Sequence, residues 1–278
     1  MSIKQVGFSS RIEQEMHPRI TQVTFFYALE KAAYRGNDEA LKRMLDHPWF
    51  DDIDALELHA LARVTASRGR HQCLQLLLSS KRSSEFDPHI CTIASCAAEK
   101  GRIECLRVLM ADERFHPLLK KNCHYLIKSA AENGHHHCLE LFVSAGWMNQ
   151  MSPKDVGKMA RQSARHGDLG CFQILVGSPQ FNEISPQLMG HIFISAVFCG
   201  RKDTLKLVFN SGRFHLISKK DLAIALEMGK YVGKEKAVVT AFIESPWFPQ
   251  MGWKTLGKVV SALAKNGRWV AYFKSYIK

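Results

Sequence analysis

"ENGHHHCLELF", residues 132–142, puts three histidines and a cysteine on consecutive positions. Read alone, it suggests a metal site or a catalytic dyad. Its copies decide otherwise. Glycines stand at 36, 69, 101, 134, 167, 200, 233 and 267, at steps of 32 to 34 residues. Around them read "KAAYRGNDEALKRML" (31–45), "VTASRGRHQCLQLLL" (64–78), "SCAAEKGRIECLRVLM" (95–110), "RQSARHGDLGCFQIL" (161–175) and "SAVFCGRKDTLKLVF" (195–209). The copies at Gly233 and Gly267 are weaker. A period of this size marks a repeat architecture.

Two helices explain each copy. Counting back from the glycine, positions −11, −8, −7, −4 and −3 are apolar or small. They are Phe25, Ala28, Leu29, Ala32 and Ala33 in the first copy, and Val156, Met159, Ala160, Ser163 and Ala164 in the fifth. That spacing is one face of a helix. Forward of the glycine, +4, +5, +8 and +9 repeat the pattern, as in Cys105, Leu106, Leu109 and Met110. The glycine is the break between them. Thr21, Asp54, Ser152, Ser185 and Ser218 stand at −15 as start signals. Pro153 and Pro186 follow two of them. The first helix is therefore expected to run about 13 residues. The loops "DHPWFDD", "ADERFHP", "GSPQFNE", "NSGRFHL" and "ESPWFPQ" carry Phe50, Phe115, Phe181, Phe214 and Trp247, which we read as plugs between copies. "LLSSKRSSEFDP" (77–88) shifts its Phe86 by three residues, so a kink or longer loop is expected there.

The unit with "AAxxGxxxCLxLL" resembles the ankyrin repeat family, over residues 21–278 with residues 1–20 as an N-terminal cap segment. It is similar to the divergent arrays of intracellular bacteria and large DNA viruses. The resemblance implies an all-α, ankyrin-like helix-turn-helix solenoid of about eight 33-residue repeats. The family's "TPLH" signature is missing; only Thr92 fills its first slot. Capped helix starts occupy the space of the usual hairpins, so few or no β-hairpin fingers are expected.

The repeat absorbs the apparent motif. Cys138 is at +4, as are Cys73, Cys105 and Cys171. We read them as a ladder of small buried side chains, too far apart to cross-link. Free thiols suit a reducing compartment. Consecutive helical residues point about 100° apart, so His135, His136 and His137 cannot face one ion. His135, Cys138 and His166 could converge, but no CxxC or HExxH supports them. No GxSxG, P-loop or dinucleotide fingerprint occurs. Neither a metal, a cofactor nor a catalytic residue is expected.

Lysine and arginine number 38 against 26 acids, a formal charge of +12. This favours an acidic partner or surface. No apolar run reaches the ~18 residues of a membrane span. The first residues hold no apolar core of a Sec-type signal peptide. The chain is expected to be a cytoplasmic monomer, or to act in a host cytosol or nucleus if it is a secreted effector.

In the family, the variable positions lie around the glycine, at −2, −1 and +1. At −1 and +1 alone, 8 of 16 residues are Lys or Arg, against 38 of 278 overall. The candidate partner-binding residues are Tyr34, Arg35, Arg68, Arg70, Lys100, Arg102, Glu132, His135, Arg165, His166, Phe198, Arg201 and Tyr231, with Lys234 and Arg268 extending the stripe. The dipole of the first helix accounts for basic residues at −2 and −1 but not at +1. On this reading Arg70, Arg102 and Arg201 can be reversed in charge without harm to the fold.

The leading expectation is a non-enzymatic module that binds an acidic protein, in virulence a host protein, on a basic concave face. The alternative is nucleic acid or anionic lipid bound through the same stripe. A modifying enzyme embedded in the repeats ranks last.

Overall fold

A left-handed glycine turn recurs at the 33-residue spacing. In the computed structural model, which describes residues 18–231 and positions 240, 241 and 244, Gly36, Gly69, Gly101, Gly134, Gly167 and Gly200 all have φ between 66° and 76°. Side chains other than glycine rarely adopt that backbone. At five of the six, the residue after the glycine donates its N–H to the carbonyl five residues back. The distances are 2.9 Å for Asn37 to Ala32, 3.0 Å for Arg70 to Thr65, 2.8 Å for Arg102 to Ala97, 2.9 Å for His135 to Ala130 and 2.9 Å for Asp168 to Ser163. This is the Schellman closure of a helix C-terminus. The glycine at 233 and its neighbour Lys234, and the glycine at 267 and its neighbour Arg268, lie outside the described residues, as does Trp247.

The described residues are all-α, with no strands. The chain divides into two compact units, Met1–Leu126 and Ile127–Lys278. The first unit holds α1 (Pro18–Arg35), α2 (Asp38–Leu45), α3 (Ala55–Ser67), α4 (His71–Leu78), α5 (Ile90–Glu99), α6 (Ile103–Ala111) and α7 (His116–Lys121). α8 (Cys123–Glu132) carries the division between the units. The second unit continues with α9 (His136–Ser144), α10 (Pro153–His166), α11 (Leu169–Val176), α12 (Pro186–Cys199), α13 (Lys202–Asn210) and α14 (Lys219–Tyr231).

Packing within each unit follows a rule. In the first, α1, α3 and α5 pack on one another as one layer, and α2, α4 and α6 as a second. In the second, α10, α12 and α14 form one layer, and α9, α11 and α13 the other. The small residues at −4 and −3 explain the close pairing: Ala32 and Ala33, Thr65 and Ala66, Ala97 and Ala98, and Ser163 and Ala164 are all buried. Phe50, Phe86, Phe115, Phe181 and Phe214 are buried in the loops as plugs, and Trp147 does the same after α9.

The caps hold at four of five positions. Asp54 accepts the Leu56 N–H at 2.7 Å, Ser152 that of Asp155 at 3.1 Å, Ser185 that of Leu188 at 3.3 Å and Ser218 that of Asp221 at 3.0 Å. Thr21 is the exception. The chain is already helical at Pro18, so Thr21 is a helix-interior residue. Proline presets the helical φ at a first position and outcompetes a threonine three residues later. The first helices of the third and fourth repeats are also shorter than expected. α5 and α8 have 10 residues each. A tight helical turn, Ser83–His89, precedes α5, and α7 precedes α8 with a break at Asn122.

Candidate functional site

The glycine turns place the predicted residues at the C-terminal ends of the first helices. In the first unit Tyr34 and Arg35 end α1, Arg68 caps α3 and Lys100 caps α5, while Arg70 and Arg102 open α4 and α6. All six are exposed. In the second unit Glu132 ends α8, His135 opens α9, Arg165 and His166 end α10, Phe198 lies near the end of α12 and Arg201 opens α13. Tyr231 ends α14, and its side chain lies outside the described residues.

One group is assembled in detail. The Arg68 guanidinium lies 4.2 Å from the centre of the Tyr34 ring. Arg70 donates from Nε to the Tyr34 carbonyl at 3.2 Å. The same reach recurs: Arg102 Nε donates to the Ser67 carbonyl at 2.9 Å, and Arg201 Nη1 to the Gly167 carbonyl at 2.9 Å. The Tyr34 and Ser67 carbonyls end the preceding repeat's first helix and the Gly167 carbonyl belongs to the turn that closes it, so none has a partner inside its own helix. The +1 arginines therefore answer the negative end of a neighbouring repeat's helix dipole. They also occupy the space above its glycine. A Cβ on Gly36 would come within 2.8 Å of Arg70 Cδ, and one on Gly69 within 3.0 Å of Arg102 Cδ. The +1 arginines are part of the packing, so reversing their charge disturbs the fold as well as any partner.

A second set of arginines does the same work in the loops. Arg82 donates from Nη1 to the carbonyls of Phe50 and Ile53 at 2.8 and 2.7 Å, and its other edge forks onto Glu85 with both distances 2.6 Å. Arg114 reaches the Leu78 carbonyl at 3.0 Å. Arg213 reaches the carbonyls of Asn182 and Ile184. The sequence signal for two of them is a dipeptide: Arg114 and Arg213 each stand directly before a plug phenylalanine.

An exposed apolar face extends beyond its −2 residues, the only part that the sequence reading found. Among the described residues nine large apolar side chains are exposed. Seven of them fall on three register positions of the first helices: Val23 and Leu56 at −13, Tyr27, Tyr125 and Ile224 at −9, Tyr34 and Phe198 at −2. Positions 4 and 11 apart lie on one helix face. The signal was available as large apolar residues in register where the core pattern calls for polar ones.

The three histidines of the opening stretch have three separate roles. His135 is the helix-opening residue of α9. His136 packs on Gly170, where a Cβ would meet its ring at 2.7 Å. His137 is exposed, with Nδ1 3.1 Å from a Glu140 carboxylate oxygen. Among the described residues no three His, Cys, Asp or Glu groups are arranged to hold a metal ion.

All eight cysteines are free. The ladder of Cys73, Cys105, Cys138 and Cys171 is buried. Burial pushes the thiols of Cys73, Cys105 and Cys171 up to about 12 and that of Cys138 to about 11; a bond to Asp38 adds to the rise at Cys73. They are neutral thiols at physiological pH, not nucleophiles. A thiol whose folded pKa lies above its unfolded value of about 8.5 binds its proton more tightly in the fold. Its contribution is complete below about pH 8.5 and is lost as pH rises toward the folded value. The guanidinium midpoint should therefore fall between pH 9 and 11, and fall less in a chain with all four ladder cysteines replaced by alanine. An equal fall in both chains would assign the effect to lysines and tyrosines.

No family model, curated protein or solved structure matches this chain.

Proposed function

We propose that the chain is a protein-interaction module without chemistry of its own, built as an ankyrin-like repeat solenoid. It binds an acidic segment of another protein along the −9 and −2 positions of the exposed face and the basic C-terminal ends of its first helices. The observation that carries this reading is the register of the exposed apolar residues. Seven of nine fall on the same face of their own helices, where scattered exposure would need no explanation. Tyrosine beside arginine is the composition of interface anchors. At Tyr34 the two are already stacked.

The carbonyl bonds of Arg70 and Arg102 support the same reading. Each uses its Nε. The two outer nitrogens keep a fixed fork, the shape that receives a carboxylate. A side chain already held loses less freedom on binding. A role as an effector acting on a host protein rests on the resemblance alone.

The +12 charge also favours a second reading, phosphate contacts with nucleic acid or an anionic membrane surface. An affinity pull-down separates the two, run with and without nuclease at low and high salt. The informative variant is Arg35→Glu with Arg68→Glu and Lys100→Glu. All three residues are exposed at −1, and none bridges to a neighbouring carbonyl in the way of the +1 arginines. We expect a discrete protein that survives nuclease, and affinity at least about tenfold weaker in the variant with an unchanged helical spectrum. Recovery of nucleic acid alone, lost at high salt, would replace this reading with the second.

A further inference from the structure

The other end of the same helices carries a groove of opposite character. It lies in the first unit, between the N-terminal half of α1 and the loop leading into α3. Val23, Phe26, Trp49 and Ile53 form its apolar wall, Asp52 and Glu57 stand among its lining residues, and its volume is about 300 Å³. That is the low end for a binding pocket, enough for a side-chain anchor. The wall is fixed. Trp49 packs against the rings of Phe25 and His47 at 5.8 and 4.9 Å, and its backbone N–H donates to His47 Nδ1 at 3.2 Å.

Val23 at the lip is 68% exposed, and Leu56, next in sequence to Glu57, is 70% exposed. These are the two most exposed large apolar side chains among the described residues. Among the described residues no lysine, arginine or histidine lines the groove, in a chain of net charge +12. Acids near the start of α3 suit its dipole, which accounts for Asp54 and Glu57. The dipole does not account for Asp52 outside the helix, nor for the apolar lip.

We propose that this groove is a docking site for a short basic-apolar segment of a partner protein. A large apolar side chain of the partner enters over Trp49 between Val23 and Leu56. A neighbouring lysine or arginine meets Asp52 and Glu57. The site is separate from the basic edge: Val23 and Tyr34 are 11 residues apart, about 16 Å along α1. It rests on the preceding reading only in requiring a partner, so the basic edge can fail and the groove still hold.

The test pans a phage-displayed library of random dodecapeptides on the full chain. Counter-selection uses the Leu56→Lys/Glu57→Lys variant. Both residues are exposed, so the variant keeps its helical spectrum. The expected result is enrichment of peptides with a large apolar residue within two positions of Lys or Arg. Their binding, read by fluorescence anisotropy, should weaken at least about tenfold in the variant and in Asp52→Lys, and stay unchanged in Arg68→Glu. Failure to enrich any sequence, enrichment of acidic peptides, or equal recovery on the groove variant would overturn the proposal. So would peptide binding only after removal of residues 1–17, which would make the occupant a segment of this chain. Self-association of the wild type that is lost in the groove variant would make it a second copy.

Discussion

Cys105→Arg should unfold the first unit at room temperature. Cys105 is fully buried at the +4 position of α6, among the second helices. Burial already raises its thiol to about 12, a measure of how poorly the site tolerates charge. The longer side chain must either bury an unpaired guanidinium or push α6 off its neighbours. Both mechanisms belong to the short list that exceeds ~4 kcal/mol, a large part of the ~5–15 kcal/mol that holds a domain. The readout is loss of the cooperative thermal transition of that unit by circular dichroism. Cys105→Ala is the control. It keeps a small apolar side chain and should cost no more than about 1–2 kcal/mol. If Cys105→Arg melted like the control, the +4 ladder would not be core.

Much of this was readable before any coordinates. A 33-residue period is carried by residues whose requirements are local. Only glycine sits easily at the left-handed turn of Gly36 or Gly134, and only small side chains fit at Ala97 and Ala98. Such requirements repeat wherever the unit repeats, so one chain contains its own comparison. The partners of the +1 arginines were hidden for the opposite reason. Arg70 meets Tyr34, and Arg102 meets Ser67, across 36 and 35 residues of sequence. A dipole argument confined to one helix therefore left those charges without a structural role. The short α8 escaped as well, because nothing in the capping rules forbids a break at Asn122, whereas the shifted Phe86 had already marked an irregular entry into α5. The exposed face at −13 and −9 was harder to see, because a single exposed apolar residue is ordinary and only the shared register of Val23 with Leu56 and of Tyr27 with Tyr125 marks a face.

The loop arginines carry the second large prediction. Arg82→Ala should lower the stability of the first unit by about 3 kcal/mol. The side chain is 13% exposed, and four of its hydrogen bonds are lost at once. The Phe50 and Ile53 carbonyls lose their donor and Glu85 loses its counter-charge. Arg82→Lys should recover less than half of the loss. An ammonium group cannot bridge two carbonyls and fork onto a carboxylate in one plane. Glu85→Gln should cost less than either, because the carbonyl bonds remain. Added salt should restore little, since a pair this close and this covered is weakly screened. Arg70→Ala, exposed and with a single bond, should cost only about 0.5–1.5 kcal/mol. Chemical denaturation of the four variants measures the series. The order also bears on how the net charge of +12 is understood. If Arg82 is worth several times Arg70, the loop arginines are spent inside the fold, and the charge offered to a partner is concentrated at the helix ends. If all four variants melted alike, the brackets would contribute nothing, and the whole positive charge would return to the account of recognition.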